Sequence, residues 1–385
     1  MSKTKSFDFW SDFDKNDKSH SKMRKDFLVN TVKSWTLSKK ISYSKRKIRE
    51  FIKFCEDNNL EIPSVSFSGG KDSTVLLHLV SQFINNPKCI VAAELFHPEN
   101  VKIINSLKNK EIYKPLITFD QIIKTVGFPM VSKEISQKIR AVRDAAILGK
   151  WTKACFGLRK SRKISKIYLH LLDKSFVKYE LTNKCCDYIK GNVKKNKLPK
   201  FVGTTVYESQ LRRTNWINKG CNVYTDDVPY SRPISLWTEE DIYKYIKKNN
   251  IKISEAYNMG WRRTGCTLCG FGLRLECREC KRAEKNGNHN LFNRLELLYK
   301  YYPSIYNRYV WELGMYKPLA DTYVEIRNDA KYMKYYEKRQ LLIKEWYKNL
   351  HANLDKILSQ IEKQTKSKFT ANERRRIHAN YTRKK

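Results

Sequence analysis

The chain has 385 residues, enough for two or three domains of roughly 100–200 residues each with a real apolar core, which excludes a disulfide-stapled miniprotein. Lysine and arginine number 77 against 39 aspartate and glutamate, a net charge of +38, which points either to a polyanionic substrate or partner or to a lysine-rich composition as such. No run of about 18 apolar residues exists to span a bilayer, and the polar start Met1-Ser2-Lys3-Thr4-Lys5 lacks the apolar stretch of a secretion signal, so a cytoplasmic protein without membrane association is expected. In that reducing setting the ten cysteines read as metal ligands or reactive thiols rather than bridges.

In chain order, the first ~35 residues are polar and charged with aromatic spots at Phe7, Phe9, Trp10 and Phe13, the pattern of an arm that docks or stays mobile. Strand-like and helix-like segments then alternate from about Tyr43 to Gly272. The clearest unit is Val65-Ser66-Phe67, a glycine turn, then Leu76, Leu79, Val80 and Phe83 at core-facing helical spacing. Cys89 to Phe96, Leu116 to Phe119 and Phe201 to Gly203 are further strand candidates, and Thr238-Glu239-Glu240-Asp241 has the T-x-x-D form of a helix start. The sum predicts an α/β fold, a doubly wound and mostly parallel sheet with helices on both faces. Beyond Gly272 the strand signals fade and Tyr, Trp, Leu and Lys recur at helical spacing, predicting a helical C-terminal appendage. It ends in a basic tail with Arg374-Arg375-Arg376 and Arg383-Lys384-Lys385.

Ser68-Gly69-Gly70-Lys71-Asp72-Ser73 lies between the first strand and its helix, where glycines let backbone N–H groups approach an anion and the helix N-terminus adds positive potential. It is not a Walker A loop, which would need a glycine at Val65. Ser-Gly-Gly-Lys-Asp-Ser after a strand resembles the PP-loop of the ATP pyrophosphatase superfamily (adenine nucleotide alpha hydrolase-like), whose members cleave ATP between the α- and β-phosphates to adenylate a substrate. Val202-Gly203-Thr204-Thr205, Glu208-Ser209 with Arg212, Arg232-Pro233-Ile234 with Trp237, Tyr257-Asn258-Met259-Gly260 and Gly265-Cys266-Thr267-Leu268-Cys269-Gly270-Phe271-Gly272 narrow it. They resemble the phosphoadenosine phosphosulfate (PAPS) reductase family within that superfamily. Asn293-Arg294-Leu295 and Tyr302-Pro303-Ser304-Ile305-Tyr306 resemble, more loosely, the members carried by phages and mobile elements.

Composition and pattern thus give a polar arm over 1–42 and a basic, mainly helical region over 276–385, and the resemblance implies a PP-loop PAPS-reductase-like domain over 43–275 between them. It implies that Ser68, Gly69, Gly70, Lys71, Asp72 and Ser73 hold the β,γ-phosphates of ATP or the phosphosulfate end of PAPS. Arg212, with Arg213, would arrive from a second loop to neutralise phosphate charge, unless it is a solvated surface arginine. Lys71, Asp72 and Arg212 are the catalytic candidates, with Mg²⁺ on the phosphates; Asp72 either orients that ion or is an ordinary acidic partner of the helix dipole.

Cys185-Cys186 is a poor disulfide, because adjacent Cα atoms about 3.8 Å apart fall below the roughly 4.4–6.8 Å that bridges prefer. Cys-Cys, a gap of nearly eighty residues, then Cys266-x-x-Cys269 resembles the [4Fe–4S] motif of assimilatory sulfonucleotide reductases. DNA-phosphorothioation sulfurtransferases of the same superfamily also carry such a cluster. A rival is internal to the chain. Cys266, Cys269, Cys277 and Cys280 form two Cys-x-x-Cys knuckles suited to Zn²⁺, although the seven residues between them are fewer than the about 12–20 of zinc ribbons. Cys55, Cys89, Cys155 and Cys221 read as small core or surface residues.

Two departures separate the chain from the reductases. Their nucleophilic cysteine lies near the C-terminus in Glu-Cys-Gly-Leu-His, whereas here no cysteine follows Cys280 and Glu276-Cys277 is the nearest imitation. Their phosphate loop is mostly degenerate, whereas this one is intact, as in enzymes that use ATP. The expected protein is therefore a PP-loop enzyme that binds ATP, or else a sulfonucleotide, and adenylates an acceptor with release of pyrophosphate. Iron–sulfur-dependent sulfur transfer to DNA or RNA, from a sulfur-donor or partner protein, is the natural coupled step, and Tyr381 beside the basic tail offers an aromatic for base stacking. The rivals are a sulfonucleotide reductase releasing sulfite through Cys277 or Cys280, and a nucleic-acid-binding regulator that senses nucleotide without turnover.

Overall fold

The computed structural model describes residues 20–92, 97–129, 132–145, 152–159, 162–177, 180–225, 227–258, 264–266, 269–271 and 330–382. In chain order these form α1 (Ser21–Asp26), α2 (Leu37–Asp57), β1 (Ser64–Phe67), α3 (Lys71–Val80), β2 (Cys89–Ala92), α4 (Pro98–Asn105), β3 (Lys110–Tyr113), α5 (Phe119–Val126), α6 (Lys133–Arg143) and α7 (Cys185–Ile189). There follow β4 (Lys200–Val202), α8 (Gln210–Lys219), β5 (Asn222–Val223), β6 (Tyr230–Ser231), α9 (Glu239–Lys248), α10 (Ala330–Lys348), α11 (Leu350–Thr365) and α12 (Ala371–Thr382). The chain divides into two compact units, 1–116 with 190–265 and 117–189 with 266–385. Residues 117–189 thus group with the C-terminal residues, and position 42/43 falls inside α2.

The first unit is built on a six-stranded sheet in the order β3-β2-β1-β4-β6-β5, parallel except for β5, which runs antiparallel to β6. From β1 the chain winds outward through β2 and β3, then returns to lay β4 on the other side of β1. Strand order therefore reverses between β1 and β4, the doubly wound arrangement the alternating pattern predicts. Val65 and Phe67 of β1, Phe201 of β4, and Val75, Leu76, Leu79 and Val80 of α3 share one core with Ile48 and Phe51 of α2 and Ile242 and Tyr245 of α9. Full burial of each large side chain is worth about 1.5–3 kcal/mol, which fixes α3, and the loop before it, against the strand ends.

Local chemistry sets the ends of these elements. Thr238 caps α9 in a reciprocal box with Asp241, as its T-x-x-D spacing predicts. Leu116–Phe119 is not a strand: Thr118 forms a capping box with Gln121 and starts α5, while the strand is Lys110–Tyr113 upstream. Phe83 lies beyond α3, which ends at Val80. The described part of the N-terminal segment is docked rather than free. Phe27, Leu28, Val32 and Trp35 pack with Val206, Trp216 and Leu236, and buried Arg24 donates from Nε to the Ile217 carbonyl (2.6 Å) and from Nη2 to the Asn218 carbonyl (2.8 Å), at the electronegative end of α8.

In the second unit α12 packs on the turn Ala154–Leu158. Tyr381 is not available for stacking on bases. It is 1% exposed, and its hydroxyl lies 3.2 Å from the carbonyl oxygens of both Cys155 and Ile164. An aromatic at this position fills the core because Ile377, one turn earlier, is buried on the same face. Arg374 ion-pairs with Asp355 (3.2 Å) and Glu362 (2.6 Å), whereas Arg375 and Arg376 are exposed. His170 meets the Tyr347 hydroxyl at 3.2 Å, and Asp173 accepts from the Trp346 indole at 3.0 Å, tying α10 to the segment 166–173. No helix among the described residues is long and apolar enough to cross a membrane.

Candidate functional site

The loop Ser68–Ser73 leaves β1 at the carboxyl end of the sheet, beside the reversal between β1 and β4, where open α/β sheets bind ligands. Gly69 has φ +71°, and a Cβ there would stand 2.8 Å from the Asn100 carbonyl oxygen, so the turn needs glycine. A Cβ on Gly203, just past β4, would lie 3.1 Å from the Asp72 carbonyl oxygen; α3 thus starts hard against the end of β4. Gly70 is the N-cap and offers no side chain to the first amides of α3; that of Lys71 goes to Tyr257, and a phosphate can take those that follow.

Inside the turn the Ser73 hydroxyl donates to the Gly70 carbonyl (2.9 Å) and accepts from the Ser68 amide (3.3 Å), and the Thr74 hydroxyl also reaches the Gly70 carbonyl (3.0 Å). The Asn100 amide, fully buried, donates to the Ser68 carbonyl at 3.3 Å. From the far side the Tyr257 hydroxyl accepts the Lys71 amide proton at 2.9 Å and shares a 3.0 Å hydrogen bond with Thr264. The loop conformation is thus held from outside by Asn100 and by Tyr257.

Lys71 is 6% exposed. Its ammonium lies 3.3 Å from Glu239 and 3.6 Å from Asp72, and within 5.3 and 5.8 Å of the Tyr257 and Tyr243 ring centres. Burial favours the neutral amine, but the Asp72 charge, followed by Tyr257, Glu239 and Tyr243, outweighs it and holds the Lys71 pKa above its ordinary value. Glu239 and Tyr243 stand one turn apart on α9, so the capping box at Thr238 delivers both to the lysine. Sequence reasoning assigns Glu239 only to a helix start and gives Tyr257, Thr264 and Asn100 no role. Tyr257 does stand in one of the family-like motifs, whereas Asn100 has no local signature.

Arg212 and Arg213 sit in the first turn of α8, after the loop that follows β4. Arg212 pairs with Glu208, and its amide donates to the Ser209 hydroxyl that caps the helix. Arg213 faces Tyr207, whose hydroxyl pKa is raised by burial against the opposing effect of that arginine.

The second unit gathers thiols. Cys185 and Cys186 open α7, and Cys266 and Cys269 act on Cys185 electrostatically, so cysteines far apart in sequence come within mutual influence. A hydrogen bond with Cys186, then burial, then the charges of Cys186, Cys269 and Cys266 push the Cys185 thiol far up. None of the eight described cysteines is in a disulfide, and Cys55, Cys89, Cys155 and Cys221 are buried. No three His, Cys, Asp or Glu side chains among the described residues are arranged to hold a single metal ion. Cys277, Cys280, Asn293–Leu295 and Tyr302–Tyr306 lie outside the described residues.

An uncharacterized protein of Methanocaldococcus jannaschii is 21% identical over 234 residues, 60% of this chain and 46% of its own length. The chain thus spans about half the length of the curated relative it matches. Among solved structures, the phosphate complex of phosphoadenylyl-sulfate (PAPS) reductase from Candida auris aligns with a TM-score of 0.32 at 12% identity, covering 64% of this chain and 94% of that one. The family model described as phosphoadenosine phosphosulfate reductase domain matches residues 62–270, more than half of the chain and the stretch from just before β1 to the second cysteine pair. The chain belongs to the phosphoadenosine phosphosulfate reductase domain family.

Proposed function

We propose that the chain binds ATP through Ser68–Ser73 and adenylates an acceptor with release of pyrophosphate. The observation that carries this reading is the intact phosphate loop, braced at the β1–β4 reversal with a buried lysine kept charged. The Lys71 ammonium and the Asp72 and Ser73 amides then stabilise charge on the β,γ-phosphates as the α–β bond breaks. Asp72 and Glu239, beside that ammonium, suit a polyphosphate that arrives with Mg²⁺ better than a bare one. Arg212 and Arg213 are assigned to phosphate charge from the second loop, Arg212 exchanging Glu208 for the nucleotide.

The four thiols Cys185, Cys186, Cys266 and Cys269 suit a [4Fe–4S] cluster by donor type and by their mutual influence. The rival Zn²⁺ set is Cys266, Cys269, Cys277 and Cys280, and its last two members lie outside the described residues. A bound cluster would supply redox and sulfur-handling chemistry, which makes transfer of sulfur to the activated acceptor the coupled step. The excess of positive charge favours DNA or RNA as that acceptor. The test is incubation of anaerobically purified protein with ATP or with PAPS, followed by separate assays of pyrophosphate and sulfite. Pyrophosphate from ATP is expected. Sulfite from PAPS would assign the chain to sulfonucleotide reduction instead, and nucleotide binding without either product would make it a sensor.

A further inference from the structure

Three hydroxyls converge on one edge of the phosphate loop. A Cβ placed on Gly70 would stand 3.2 Å from the Tyr257 hydroxyl, 3.3 Å from that of Thr264 and 3.4 Å from that of Ser68. Any side chain there would crowd this polar corner, and its hydroxyls would have to give by a few tenths of an ångström. At its centre the Tyr257 oxygen accepts the Lys71 amide proton, so the phenol keeps one proton of its own to give. Thr264, at 3.0 Å, is the neighbour that meets it, as either acceptor or donor. Tyr257 is fixed in place by the turn Glu255–Tyr257, capped by Ser254 and packed against α4, and its ring lies 5.3 Å from the Lys71 ammonium. Burial raises its pKa, which leaves the phenol protonated at neutral pH.

We infer that Tyr257 contacts the anion: its hydroxyl, oriented by the Lys71 amide, donates its proton to a phosphate oxygen held in the loop, with Thr264 as the alternative partner for that proton. The inference rests on the reading of the loop as a polyphosphate site and adds to it a donor from a distant segment.

The experiment is calorimetric binding of ATP, PAPS and AMP to the full chain and to Tyr257→Phe, Tyr257→Gln and Thr264→Val. Loss of one hydrogen bond to a charged group predicts that Tyr257→Phe weakens the polyphosphate ligand about tenfold or more, while AMP, which lacks the β,γ-phosphates, binds as before. Tyr257→Gln, which restores a donor, recovers part of the loss. Thr264→Val stays within about twofold of the parent or binds more tightly, since it removes only the competitor for the proton. Unchanged ATP and PAPS affinity in Tyr257→Phe would overturn the role of Tyr257 alone. A Thr264→Val loss as large as that of Tyr257→Phe, or a parallel loss of AMP, would make the hydroxyl pair a structural brace and overturn it equally. A parent protein that binds none of the three ligands overturns the nucleotide reading itself.

Discussion

Around Lys71, two carboxylates and two tyrosines outweigh burial and keep an ammonium charged, whereas around Cys185 a neighbouring thiol and burial act together to keep a thiol protonated. The first environment favours an anion beside the fixed cation. The second disfavours the thiolate, the form in which a cysteine binds metal. One family domain therefore carries a buried ammonium kept charged and a buried thiol kept protonated.

Breaking the thiol region should have the largest effect, because it is all-or-none. Cys185→Ser is expected to abolish the iron and sulfide content of anaerobically purified protein while ATP binding persists. A colourless parent carrying one zinc that is lost in Cys277→Ser but kept in Cys185→Ser would move the site to the C-terminal knuckles. In the phosphate region, Lys71→Ala is expected to weaken ATP roughly 100-fold, from the loss of a charged contact worth about 2–3 kcal/mol. Equal binding by parent and variant in calorimetry would remove the loop from the site.

A third test compares how the two units respond to acid. Burial, then the charge of Arg339, pushes His170 down to about 4. Between that value and about 6.5 the unfolded chain binds the proton that the folded chain refuses, so stability is complete above about pH 6.5 and falls as pH drops towards 4. The loss is on the order of 3 kcal/mol. In urea titrations across that range His170→Asn should flatten the slope; an unchanged slope assigns the acid sensitivity elsewhere. The smallest effect concerns Arg375 and Arg376. If they meet a nucleic-acid backbone, replacing either by alanine should lower the salt slope of binding by about one between about 50 and 200 mM. Failure of DNA and RNA to bind even at low salt would make the charge compositional.

The β1–loop–α3 unit was readable because two glycines and a 3.6-residue apolar period leave few alternatives, and Thr238 because capping chemistry is local. β3 was not: Lys-Glu-Ile-Tyr is short and half-exposed on a sheet edge, so it carries little apolar signal. Glu239, Tyr257 and Asn100 reach the loop through tertiary folding from three distant segments, and no spacing rule encodes that. Tyr381 was misread because basic neighbours suggested a surface, while its buried face is set by Ile377 and by carbonyls more than two hundred residues away. The thiols are intermediate. Their type and grouping are in the sequence, but their mutual influence comes from the fold.

The bonds of Arg24 span 193 and 194 residues of chain. During synthesis at about 5–20 residues per second, roughly 10–40 s therefore separate the emergence of this arginine from that of its carbonyl partners on α8. Over that interval Phe27, Leu28 and Trp35 have no Trp216 or Val206 to cover them. The N-terminal segment thus waits for its apolar cover until α8 has been made.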